Sequence, residues 1–189
     1  MPPENRPTGH VPPAQPTSVS GGTSSTLSRP QKGLYLRKQE LRRGIELMFF
    51  AYRDFTGEAD QILSDLGLGR AHHRVIYFVG RQPNMSVSDL LAILKITKQS
   101  LSRVLSHLIN TGYIQQAHGV RDKRQRLLAL TENGAALEAK LTDVQCRRFA
   151  AAYSARGGTA VDGFVKVLSS LLDEEMRADL RQQYPEHID

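Results

Sequence analysis

Residues 95–131 read KITKQSLSRVLSHLINTGYIQQAHGVRDKRQRLLALT, and this stretch decides the fold. It carries seven cations, Lys95, Lys98, Arg103, Arg121, Lys123, Arg124 and Arg126, against the single acid Asp122. That local excess of +6 equals the formal net charge of the whole 189-residue chain, so the remainder is balanced. A dispersed excess would say little beyond solubility. A local one laid on helical and hairpin patterning is the footprint of a nucleic-acid surface, with an anionic membrane surface as the rival partner.

Within the stretch, the spacing predicts a helix over 98–110, with Thr97 as its N-cap and Gly112 as its stop. Leu101, Val104, Leu105, Leu108 and Ile109 form one stripe and are expected to be buried. The opposite face holds Gln99, Ser102, Arg103 and Ser106, flanked by Lys98 and Ser100, with no large apolar side chain among them. Upstream, Ser86 stands three residues before Asp89 and directly before Val87, a reciprocal capping arrangement that opens a short helix ending near Leu94. A short helix, a tight turn and a second helix with an exposed donor-rich face make a helix-turn-helix. Arg on such a face can bond guanine and Gln can pair with adenine. The bland alternative is an amphipathic helix that meets only water. Downstream, Tyr113–His118 and Arg126–Leu130 read as two strands around a charged turn at Gly119–Lys123, and Thr131 caps the next helix. A basic hairpin beside a groove-entering helix completes a winged helix, with Arg121, Asp122, Lys123, Arg124 and Arg126 on the wing. Asp122 is placed to pair with Arg124 and hold that guanidinium in one pose for the minor groove.

Outside this stretch the chain reads mainly as helix. From Leu34 to about Leu66, Leu41, Ile45, Met48, Phe49, Tyr52 and Phe55 recur at three- and four-residue spacing between charged residues, one long amphipathic helix stopped by Gly67 and Gly69. A second helix, Arg70 to Gly80, is dense in apolar positions and expected to be central. Near the C-terminus, Val161, Phe164, Val165, Leu168, Leu171 and Leu172 form a further helical stripe. Residues 1–33 hold seven of the nine prolines, many Ser, Thr and Gly, and no aromatic residue, which predicts a disordered tail. They contain no continuous apolar run of a secretory leader, and no stretch approaches the ~18–20 apolar residues of a membrane span. With Cys146 alone, no intrachain disulfide can form, which fits a reducing cytoplasm. The chain has no glycine-rich phosphate loop, no nucleophile elbow and no metal-ligand spacing, so neither an enzyme, a cofactor nor a metal site is expected.

The run from Val120 to Gly134, with Asp122 and Arg124 as D-x-R and Leu130-Thr131 behind them, resembles the wing of MarR-family transcriptional regulators. The order of elements over about residues 36–180 is similar as well. The stretches around Leu47–Thr56, Arg70–Gly80 and Ile93–Leu105 resemble the alphaproteobacterial PetP or LdtR branch of that family.

The resemblance implies a mainly helical fold with a small β-hairpin wing. It also implies a homodimer whose terminal helices, 34–66 and 132–184, interlock and present two DNA-binding units, 67–131, to a pseudo-palindromic double-stranded operator. A small-molecule pocket, often taking anionic or phenolic compounds, is implied between these regions, with Phe55, Thr56, His72, His73 and Arg74 as candidate contacts. Adjacent histidines on a helix point about 100° apart, so His72 and His73 do not chelate together. Some members resemble peroxide sensors, but Cys146, beside Arg147 and Arg148 in the fifth helix, is not near the N-terminal helix where that cysteine sits, and a free cysteine is more often a small hydrophobe. The competing function is a winged-helix module that binds nucleic acid without sequence preference, or a protein through its wing. A specificity ratio separates these readings, and salt dependence alone does not.

Overall fold

The structure, a computed structural model, describes residues 37–119 and 125–183. Seven helices and three short strands follow one another: α1 Lys38–Asp65, α2 Arg70–Arg81, β1 Met85–Ser86, α3 Val87–Leu94, α4 Lys98–Asn110, β2 Ile114–His118, β3 Arg126–Leu130, α5 Glu132–Arg156, α6 Gly158–Ser170 and α7 Glu174–Gln183. The tail read as disordered lies outside the described residues, as do the wing-tip residues Arg121, Asp122, Lys123 and Arg124. No described helix is long and apolar enough to cross a membrane.

The caps read from sequence have their hydrogen bonds. The Asp89 amide donates to Ser86 Oγ at 3.1 Å and the Ser86 amide to Asp89 Oδ2 at 3.0 Å, which fixes the start of α3. The Ser100 amide donates to Thr97 Oγ1 at 3.2 Å, and the Gly134 amide to Thr131 Oγ1 at 3.1 Å. Thr111 ends α4, and Gly112 follows at φ 75°, a left-handed conformation that suits glycine.

The core is built by α2, α3, α4, the sheet and the C-terminal half of α1, closed by α5. Leu63, Val75, Ile76, Val79, Leu90, Leu101, Leu108, Leu128 and Leu141 are all buried in it. The dense apolar pattern of α2 is thereby explained, since Val75, Ile76 and Val79 meet several neighbours at once. The hairpin β2–β3 pairs antiparallel from Ile114–Leu130 to His118–Arg126 and closes with the Gly119 amide on the Gln125 carbonyl at 2.9 Å.

Two features depart from the sequence reading. A third strand, β1, pairs with β3 through Met85–Leu128 and Ser86–Leu127, giving the order β1-β3-β2. Two residues are too few for an alternating signal, so periodicity could not reveal it. The C-terminal stripe is not one helix. Gly157 at φ 77° breaks α5 from α6, and α6 ends at Ser170, leaving Leu171 and Leu172 in the corner before α7. The apolar residues of the N-terminal half of α1, by contrast, leave an uncovered apolar face of the kind the interlocking terminal helices call for: Phe49 is 69% exposed and Ile45 56%.

Candidate nucleic-acid interface

Helix α4 buries Leu101, Leu105 and Leu108 and half-buries Val104 and Ile109, which turns its other face outward. Lys98, Gln99, Ser100, Ser102, Arg103 and Ser106 are all exposed on that face. The α3–α4 turn is held by Lys95 at φ 48° and by the Thr97 cap, so the first turn of α4 is rigidly presented.

Beside α4 lies the base of the hairpin, and between them runs a cleft of about 500 Å³. It brings Lys98, Ser102 and Ser106 of α4 together with Arg126 of β3, and adds Ser88, Gln116 and Gln125, which the sequence reading did not single out. β2 reads Ile-Gln-Gln-Ala-His without alternation, so the face that Gln116 takes depends on a register that only the pairing Gln116–Leu128 fixes. No carboxylate lines the cleft among the described residues. Amide, hydroxyl, ammonium and guanidinium groups suit an anionic backbone and base edges together.

Besides the β1–β3 pairing, hydrogen bonds tie the base of the wing to the start of α5. The Thr131 amide donates to the Tyr113 carbonyl at 3.1 Å, and Thr131 Oγ1 donates to the Gly112 carbonyl at 2.6 Å. A Cβ on Gly134 would lie 2.0 Å from that Tyr113 oxygen, so the start of α5 can approach the hairpin only as glycine.

A second cavity of about 530 Å³ lies between α1, α2 and α5. Phe55, Thr56, His73 and Arg74 line it, as do Tyr52, Tyr77, Gln145 and the exposed Cys146. His72 does not. Its Nδ1 accepts the Gly69 amide at 3.1 Å at the start of α2, and its ring lies 5.0 Å from that of His107 on α4. Burial pushes His72 below the ordinary histidine range, helped by the field of His107. Burial also pushes His73 down, against the fields of Asp60 and Glu138. Arg70 at the cavity edge forms a two-pronged bond to Asp60, at 2.9 and 2.6 Å to Oδ2, and lies 5.5 Å from the Tyr52 ring. The α5 wall was invisible in the sequence because nothing local links Gln145 or Cys146 to α1. No cluster of three or more metal-ligating side chains occurs among the described residues.

Comparison with known proteins agrees with this geometry. A family model described as MarR family matches residues 66–125, which span α2 to the hairpin. The HTH-type transcriptional regulator PetP of Rhodobacter capsulatus is 51% identical over 144 residues, 76% of this chain and 87% of that protein. The chain belongs to the MarR family. Among solved structures, Streptococcus pneumoniae FabT in complex with DNA aligns at TM-score 0.64 and 17% identity, covering 74% of this chain and 99% of FabT. A MarR variant from E. coli complexed with operator DNA aligns at TM-score 0.57 and 19% identity, covering 71% and 96%. At those identities the structures speak to the fold alone. The identity to PetP agrees with the branch resemblance of α1, α2 and α4.

Proposed function

We infer that this MarR-family chain is a sequence-specific DNA-binding transcriptional regulator, and that it acts as a cytoplasmic homodimer on a pseudo-palindromic operator. One observation supports the DNA-reading surface most: the cleft, without a carboxylate among the described residues, that sets the exposed face of α4 beside Arg126 at the base of the wing. In this reading residues 67–131 form the DNA-binding unit, with Lys98, Gln99, Ser100, Ser102, Arg103 and Ser106 entering the major groove. Arg121, Asp122, Lys123, Arg124 and Arg126 form the wing that follows the backbone into the minor groove.

Residues 34–66 and 132–184 form the dimerisation region. The support is the exposed apolar surface of α1, where Leu41, Ile45, Leu47, Met48, Phe49 and Phe50 all face outward, together with Phe164 and Val167 of α6. Monomeric soluble proteins rarely leave such a surface to water. An apolar groove of about 520 Å³ between α1, α5 and α6 continues it, lined by Met48, Phe149, Tyr153 and Phe164.

The cavity beneath, with Arg74, His73, Tyr77 and Phe55, suits an anionic or phenolic effector that would shift the spacing of the two DNA-binding units. Footprinting on the chain's own upstream DNA tests the whole reading. Two protected half-sites centred about 34–36 Å apart are expected, and a single unpaired footprint, or none, refutes it.

A further inference from the structure

Lys95 belongs to the basic stretch by sequence, yet the structure gives it a partner of its own. It is the C-cap of α3, three positions before Lys98 and at the point where the chain turns into α4. Its Nζ lies 2.8 Å from Asp173 Oδ2 and 3.6 Å from Glu175 Oε2, both at the start of α7.

The two acids are set in a built corner. Asp173 Oδ1 accepts the Met176 amide at 2.9 Å, capping α7, and the Asp173 carbonyl accepts the Arg177 amide at 3.0 Å. The Arg177 guanidinium donates to the carbonyls of Ser169, Ser170 and Leu172 at 3.1, 3.2 and 3.0 Å, tying the end of α6 to α7. Hydrogen bonding to Lys95 and to the Met176 amide holds the Asp173 carboxyl below its ordinary range, and the same bond raises Lys95, so both are charged at neutral pH.

We propose that this corner is an autoinhibitory contact, in which Asp173 and Glu175 occupy Lys95 in the free protein and yield it to a DNA phosphate on binding. Two carboxylates around one ammonium imitate the oxygens of a phosphodiester. The pair is solvent-exposed, with Lys95 at 51% and Asp173 at 58%, so it is weak, screened and exchangeable. Lys95 stands where helix-turn-helix proteins meet the DNA backbone. The device lowers affinity for every sequence alike, because phosphates carry no sequence information. It therefore discourages idle non-specific binding and links the α6–α7 end of the chain to the DNA-reading turn.

This proposal rests on the DNA-binding reading, and one experiment separates the two. Binding of the full-length chain to its upstream fragment and to random DNA is measured by fluorescence anisotropy for wild type, D173N/E175Q, K95M and the triple variant. The expected result is a severalfold gain for D173N/E175Q on both DNAs, lost in the triple variant, and a salt slope shallower by about 0.9 per subunit, about 1.8 for the dimer, in K95M. Both acid-to-amide changes keep side-chain shape and the Met176 cap, and matching thermal melts verify the fold. No gain in D173N/E175Q, or a gain that persists without Lys95, overturns the proposal. A wild-type chain that binds neither DNA overturns the regulator reading itself, and the proposal with it.

Discussion

Replacing Gly134 with alanine separates packing from propensity in a single methyl group. In an ordinary exposed helix position the change stabilises by about 0.5–1 kcal/mol, because glycine loses more backbone freedom on folding. At Gly134 the new Cβ would stand 2.0 Å from the Tyr113 carbonyl oxygen and 3.3 Å from Leu130 Cβ. Contact at 2.0 Å falls about 1.4 Å short of ordinary van der Waals distance, and the obstacle is backbone. That same oxygen accepts the Thr131 amide, so moving it strains the bond that seats the wing. Overpacking of this kind costs about 1–3 kcal/mol and here belongs at the upper end, which leaves a net loss of about 2 kcal/mol after the propensity gain. Urea unfolding is the assay, with the midpoint expected to fall by about 1 M for a slope near 2 kcal/mol/M. Gly57, on α1 with nothing within 4 Å of its added Cβ, is the control, and Gly57→Ala should hold or raise the midpoint. A Gly134→Ala protein as stable as wild type would refute the close approach between α5 and the hairpin.

Arg103→Ala should lose about 1–3 kcal/mol of base discrimination, whereas Lys123→Ala should weaken all sequences alike. Equal loss on specific and random DNA from both would reject that division. Phe49, 69% exposed, is expected to face a second subunit. Phe49→Glu in both copies should remove about 3–6 kcal/mol of association and yield monomers at micromolar concentration, and an unchanged sedimentation coefficient contradicts the dimer surface. His72 and His73 are both depressed by burial, so the unfolded chain takes up protons on them near pH 6.5 while the folded chain does not. Their stabilisation is complete above that pH and is lost as pH falls through it toward the folded values. Melting temperature should therefore drop on acidification, and His72→Gln/His73→Gln should flatten that slope. A slope identical to wild type would mean these groups do not titrate with folding. Phenolic and anionic compounds should raise the melting temperature of wild type, and Phe55→Ala and Arg74→Ala should blunt the response. A full response in both variants removes them from the effector site.

Local chemistry was legible from the residues. The helix α4 starts and stops where Thr97 and Gly112 placed it, and the stripe of Leu101, Leu105 and Leu108 is buried as its spacing demanded. The reciprocal bonds of Ser86 and Asp89 were written in three residues. What required the fold was everything set by distance along the chain. Strand β1 exists only because β3 lies beside it. His72 and His73 are neighbours in sequence, yet one turns to Gly69 and His107 and the other to the cavity against α5. Charge counting put Lys95 in the basic stretch, and could not see Asp173 and Glu175 brought to it from 78 and 80 residues away.

The central claim is that the face of α4 reads base sequence. The direct measurement is the ratio of affinities for the chain's own upstream region and for random DNA of equal length at physiological salt. A ratio of about 10³ or more is expected. A ratio below about tenfold would contradict it, whatever the absolute affinity.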